Sequence, residues 1–174
     1  GVPFLRMSDL VYRMDTGLQK SDLFIPKEKY KELKENGLVP EIDDILVTSR
    51  GTLGRCYVVS AADRFYFQDG MISWLSQFSD NVSAKYIAHL FAMPGFQKQI
   101  DSLQAGSTVA YLSIAMLKRL RVILPPVELQ SQFITFVAQV DKSKFCSERG
   151  SQVLQNAVKC MWNVYMGGRV YDKL

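Results

Sequence analysis

Ten positions between Phe133 and Tyr165 follow one another at alternating steps of four and three residues: Phe133, Val137, Val140, Lys144, Ser147, Ser151, Leu154, Val158, Met161 and Tyr165, seven of them apolar. This spacing predicts a helix with a single apolar stripe, the pattern by which two helices pack along each other. A helix over these 33 residues would rise about 50 Å at ~1.5 Å per residue. A small domain does not need that length to cover its own core, so the stripe predicts a partner helix. The polar stretch KSKFCSERGSQ weakens its middle, and Gly150 costs roughly 1 kcal/mol in a helix interior. Two helices joined at a soft centre fit the pattern, as does one helix whose polar positions fix register.

Just before this run, SIAMLKRLRVIL leads into Pro125-Pro126. A proline pair locks two successive φ angles and supplies no backbone donor, so it stops the preceding element, while Pro126 suits the first turn of the next. The pair marks a joint between a mixed domain at 1–125 and a long helical segment at 126–174, an α+β architecture overall. With 174 residues and 48% hydrophobic content the chain can bury a core. No apolar run approaches the ~18 to 20 residues of a bilayer span, and GVPFLRMSDL lacks the zones of a signal peptide, so the sequence reads as soluble and cytoplasmic. Cys56, Cys146 and Cys160 are spaced for neither a disulfide framework nor a metal site and read as reduced thiols.

The net charge of +4 is unevenly spread. Residues 1–84 carry ten Lys/Arg against twelve Asp/Glu, whereas 85–125 carry five (Lys85, Lys98, Lys118, Arg119, Arg121) against Asp101 alone. A one-sided patch for a polyanion and a solvated helix face both produce that count.

Within the mixed domain, VPFLRMSDLV and DILVTSRGTLGRCYVVS have the composition of strands, the second folding back at SRGTLG as a hairpin. PKEKYKELKENGLVP predicts a short surface helix with Tyr30 and Leu33 inward, charges placed for i,i+4 pairing and an end at Asn36-Gly37. RFYFQDGMISWLS reads as one alternating strand. SAKYIAHLFAMPGFQKQIDSLQ has helical spacing that breaks at Pro94-Gly95.

Four segments, in order, carry a family resemblance: GVPFLRMSDL, DILVTSRGTLGR, YIAHLFAMPGFQKQIDSLQAGSTVAYLSIAMLKRLRVILPPVELQ, and the tail NVYMGGR. Together they resemble half of a type I restriction-modification specificity subunit, with one target recognition domain followed by one spacer helix. The chain departs from that pattern in three ways. PEIDDIL stands where a Pro-Gly-Asp turn is usual. Glu128 comes one position early, with Leu129 in the usual glutamate place, although an acidic residue in the first turn still meets the positive end of the helix dipole. Only one domain and one helix are present where the family generally has two of each, which implies a half subunit or a fragment.

The resemblance implies recognition of double-stranded DNA without chemistry of the chain's own. Partner methyltransferase subunits would bring S-adenosylmethionine and, through them, restriction subunits would join. The residues fit: Pro125-Pro126 is the sole Pro-Pro and lacks the Asn/Asp and aromatic neighbours that hold a flipped adenine, and no phosphate-cradling Gly-rich loop is present. His89, at helical spacing in YIAHLF, reads as a packed side chain, and Asp43-Asp44 as a turn before a strand. Trp74 and Phe65 to Phe67 read as core.

For DNA contact the candidates form two groups. TSRGTLGR offers Thr48, Ser49, Arg50, Thr52 and Arg55, with glycines that allow close backbone approach or merely supply positive φ. QKQIDSLQAGSTVAYLS offers Lys98, Gln99, Gln104, Ser107, Thr108 and Tyr111. Lys118, Arg119 and Arg121 suit phosphates or the partner methyltransferase. For one domain and one helix, the stripe of Phe133, Val137, Val140, Leu154, Val158, Met161 and Tyr165 predicts a homodimer and an inverted-repeat site. A coiled-coil scaffold protein and the target-reading fragment of a single-chain methyltransferase are the alternatives.

Overall fold

The computed structural model describes residues 1–105 and 109–144, with side chains through residue 140. Ser107, Thr108, Cys146, Gly150, Cys160 and the heptad positions Leu154, Val158, Met161 and Tyr165 lie outside the described residues. The elements run β1 (Val2–Leu5), α1 (Met7–Thr16), β2 (Phe24–Ile25), α2 (Lys27–Glu35), β3 (Ile45–Thr48), β4 (Cys56–Val58), β5 (Tyr66–Phe67), β6 (Ile72–Leu75), α3 (Ala84–Phe91), α4 (Pro94–Gln104), α5 (Ile114–Leu117) and α6 (Val127–Lys144). This is the mixed α and β composition that the sequence predicts.

β3 organises the domain. It is the middle strand of a three-stranded antiparallel sheet, with Ile45 opposite Val58 of β4 on one side and Leu75 of β6 on the other. All four of its residues are buried because both faces of the strand are covered, which explains a continuous apolar run in place of alternation. Successive side chains point to opposite faces. Ile45 and Val47 enter a core with Ile87, Leu90, Phe91 and Ile100 of α3 and α4, while Leu46 enters a second core with Leu5, Leu10, Phe65 and Ile72. A smaller sheet of order β2-β1-β5 flanks that second core, β1 lying antiparallel to β2 and parallel to β5.

The hairpin, the α2 surface helix and the break at Pro94 stand where the sequence predicts them. Gly37 follows α2 at φ 67°, and Pro94 occupies the first turn of α4. Two readings are corrected. The stretch VPFLRMSDLV is a strand only through Leu5, after which α1 begins. The Asp9 carboxylate accepts the Arg6 backbone N–H at 3.0 Å, and Gly17 at φ 70° closes the other end by donating to the Arg13 carbonyl at 2.8 Å. RFYFQDGMISWLS is two strands in different sheets, because Asp69 turns the chain between them: its carboxylate accepts the N–H of Met71 at 2.8 Å and of Met7 at 3.0 Å.

α1 is bound to the β4 hairpin by a half-buried polar cluster. Arg13 pairs with the Asp63 carboxylate and donates from Nε to the Tyr57 hydroxyl at 2.7 Å, while Tyr57 donates to Asp63 at 2.9 Å. Asp44, the residue before β3, accepts from Glu41 N–H at 2.7 Å and from the Trp74 indole at 2.8 Å, so the Asp43-Asp44 pair makes a turn, with Asp43 at φ 67°.

At the joint, α6 starts directly after the prolines, and the Pro126 carbonyl receives the N–H groups of Leu129 and Gln130 at 2.9 and 3.1 Å. Pro126 therefore caps the helix from just outside its first turn. The Gln130 amide, 0% exposed, accepts the Ser83 N–H at 2.8 Å and donates to the carbonyls of Asn81 at 2.8 Å and Pro125 at 2.7 Å. One turn later Phe133 meets Tyr86 and His89 of α3 edge to face, with ring centroids 5.6 and 6.0 Å apart. Phe133, Val137 and Val140 are 3%, 4% and 8% exposed. The start of the stripe thus packs on the chain's own domain instead of presenting an open seam. The physical reason is α3: it buries Ala84, Tyr86, Ile87, Leu90 and Phe91, an apolar face that β4 and α4 cover in part and α6 covers in part. No helix among the described residues is long and apolar enough to cross a membrane.

Candidate nucleic-acid interface

The turn between β3 and β4 is built from its underside. Thr48 donates its hydroxyl to the Thr52 carbonyl at 2.5 Å and accepts the Arg55 N–H at 3.0 Å. Gly54 donates to the Thr48 carbonyl at 2.9 Å. Ser49 shares a 2.7 Å hydrogen bond with the Ser73 hydroxyl, donates its N–H to the Met71 carbonyl at 2.7 Å and accepts the Leu112 N–H at 3.0 Å. Thr48 and Ser49 are 1% and 0% exposed. These two hydroxyls hold the turn's shape and do not face solvent. The Ser49 and Ser73 hydroxyls, buried together, would each be unpaired without the other.

The two glycines differ in role. Gly54, at φ 74°, lies against α4: a Cβ there would stand 2.6 Å from Ile100 Cδ1. Its close approach is to the chain's own helix. Gly51, at φ 66°, has open space around its Cα.

On the outer side the arginines also divide. Arg55 pairs with Asp15 near the end of α1 at 2.6 Å. Arg50 is exposed, has no carboxylate partner among the described residues, and places its guanidinium carbon 5.9 Å from the centre of the Tyr111 ring. That is cation–π range. Thr52 is exposed beside it.

Tyr111 reaches this position from the far end of the segment that follows α4. The Gln104 side chain accepts the Tyr111 N–H at 3.0 Å and donates to the Tyr111 carbonyl at 3.1 Å, and the Tyr111 hydroxyl donates to the Gly70 carbonyl at 3.3 Å. Gln99 behaves similarly toward Arg121, accepting its N–H at 3.0 Å and donating to its carbonyl at 3.2 Å. The two glutamines therefore brace backbone. Lys98 and Arg119 are exposed and line one shallow groove with Gly95 and Ser102, and Lys118 is exposed on the turn after α5.

Behind this surface, burial pushes the Cys56 thiol up, holding it neutral, and pushes Tyr86 up to about 12. Burial is also the main reason Tyr57 is raised, with Arg13 opposing it. These groups are packing elements at neutral pH. Sequence reading missed Ser73, Met71 and Gly70 as the floor under Arg50 and Tyr111, because they sit on β6 and its approach, far along the chain. The Pro-Pro joint pointed to the start of α6 without singling out Gln130.

A sequence profile of the type I restriction modification DNA specificity domain matches residues 1–154. A candidate type I restriction enzyme specificity subunit of Haemophilus influenzae is 28% identical over 126 residues, covering 72% of this chain. The match spans 31% of that protein's length. With a profile that runs from β1 through α6, this chain belongs to the type I restriction modification DNA specificity domain family.

Proposed function

We propose that the chain is a sequence-reading component of a type I restriction-modification system, in which residues 1–125 recognise one half of a bipartite duplex target and residues 126–174 carry the spacer. The observation that supports this best is the family match over residues 1–154. In this reading the chain does no turnover: partner methyltransferase subunits bring S-adenosylmethionine and the transfer site, restriction subunits join through them, and the assembly works in the cytoplasm. Contact with DNA falls to the exposed members of the candidate set, Arg50, Thr52 and Tyr111 for bases and Lys98, Lys118 and Arg119 for phosphates. Thr48, Ser49, Gln99 and Gln104 support them from beneath.

Homodimerisation is part of the same reading. Because Phe133 and Val137 pack into the core of their own domain, the contact between copies would rest on Leu154, Val158, Met161 and Tyr165. Sedimentation of the purified chain at tens of micromolar tests this: a dimer that dissociates on charge substitution at Leu154 and Val158, with the recognition domain still folded, is expected, and a wild-type monomer rejects it.

Titration of the purified chain onto duplex DNA across a salt series, with and without the methyltransferase subunit, tests DNA recognition. Phosphate neutralisation releases counterions, so log affinity should fall linearly with log salt at a slope of roughly −0.9 per phosphate contacted. Salt-insensitive binding, or no binding in either condition, would reject the reading.

A further inference from the structure

Resting on the DNA-reading function above, we propose that Arg50 is a specificity-determining residue that reads a guanine, and that Gln104 is a positioning residue which acts on Arg50 through Tyr111. Of the two arginines in the turn, Arg55 pairs with Asp15 at 2.6 Å, whereas Arg50 has an aromatic neighbour and no carboxylate among the described residues. A guanidinium resting near a ring face leaves its N–H donors available and is biased toward that side. Its fork then matches the O6 and N7 acceptors that guanine presents in the major groove.

The ring itself is immobilised from several directions. Gln104 grips both backbone polar groups of Tyr111 at 3.0 and 3.1 Å, and the Tyr111 hydroxyl is tied to Gly70 at 3.3 Å. The next residue, Leu112, donates to the Ser49 carbonyl at 3.0 Å, directly behind Arg50. Tyr111 and Arg50 thus stand on one bonded frame, although they are 61 positions apart in the sequence. An arginine held this way loses less side-chain freedom on binding, and rigid placement converts to affinity and discrimination. A solvated loop has no need for a glutamine that spends both halves of its amide on one residue's backbone.

The test is selection from a randomised duplex library followed by sequencing, using the full chain together with the methyltransferase subunit, as wild type and as its Arg50→Ala, Arg50→Lys, Gln104→Ala and Tyr111→Phe variants. Wild type should enrich a motif with guanine at one position, and Arg50→Ala should lose the preference there alone, by roughly tenfold to hundredfold. Arg50→Lys should recover it in part. Gln104→Ala should blur the same position less, by severalfold, with an unchanged salt slope, a pattern that general loosening of the fold would not give. Tyr111→Phe keeps the ring but loses its tie to Gly70, and should blur the position less than Gln104→Ala does. A motif untouched by Arg50→Ala, or weakened equally at every position with a salt slope reduced by about one, makes Arg50 a bystander or a phosphate contact and overturns the assignment. If Arg50→Ala behaves as expected but Gln104→Ala does not, the positioning role fails alone. No enriched motif with wild type overturns the DNA-reading function itself, and the assignment with it.

Discussion

The turn at residues 49–55 and the joint around Gln130 are made in the same way and end in opposite outcomes. In both, a short side chain or an amide satisfies backbone groups that no helix or sheet ladder reaches: Ser49 in the turn with Thr48 at the end of β3 beside it, and Gln130 in the joint. At the joint, the side chains that face α3 are apolar and enter the core, with Phe133 against Tyr86 and His89, while Glu128 stays outside. In the turn the bonded residues sink and Arg50 and Thr52 remain outside. The comparison teaches that a cluster of polar residues marks a rigid place in the chain, and that only the side chains left over after the internal bonding is complete can serve a ligand.

Each half of that comparison can be broken. The largest effect is expected at the joint. Phe133→Ala should cost about 3 to 5 kcal/mol by opening a cavity between α6 and α3, read as a fall in the urea midpoint at constant m-value. A loss under 1 kcal/mol would mean that α6 is only loosely attached. Gln130→Leu preserves volume but strands the Ser83 N–H and the carbonyls of Asn81 and Pro125, and should cost about 2 to 3 kcal/mol. A neutral result would assign the joint to packing alone.

In the turn, Gly54→Ala should cost about 1 to 2 kcal/mol, since the residue sits at φ 74° and its new methyl would meet Ile100. Gly51→Ala, equally strained at φ 66° but with open space around it, should cost less, and equal losses would deny that Gly54 is a packing position. Arg50→Ala should leave stability within about 0.5 kcal/mol of wild type, because the side chain holds nothing in place. A larger loss in the same urea series would make Arg50 structural and erase the contrast.

Much of this was legible from residue order. The hairpin showed in two β-rich runs around SRGTLG, α2 in its charge spacing and Asn36-Gly37 end, and the break before α4 in Pro94. α1 was hidden because Val2 to Leu5 is a true strand and its β-branched look carried the eye past Arg6. Met7, Leu10 and Met14, spaced by three and four, and Gly17 after them were the available signals. The site was half legible. Residue type singled out the turn and the segment after α4, but it could not say that Ser49 and Thr48 point inward or that Gln104 is spent on Tyr111, since those facts depend on partners at Ser73, Met71 and Leu112 brought in by sheet pairing. The heptad stripe was real as a pattern, yet its first turns answer to α3, because periodicity reports an apolar face and says nothing about which surface covers it.

The most direct test of the central claim is the methylome of cells that express the partner methyltransferase, with the chain absent, as wild type, or as Arg50→Ala. Methylation is expected at one bipartite motif that needs the chain, with relaxed choice at a single guanine position for the variant. Methylation that is the same with and without the chain would contradict it.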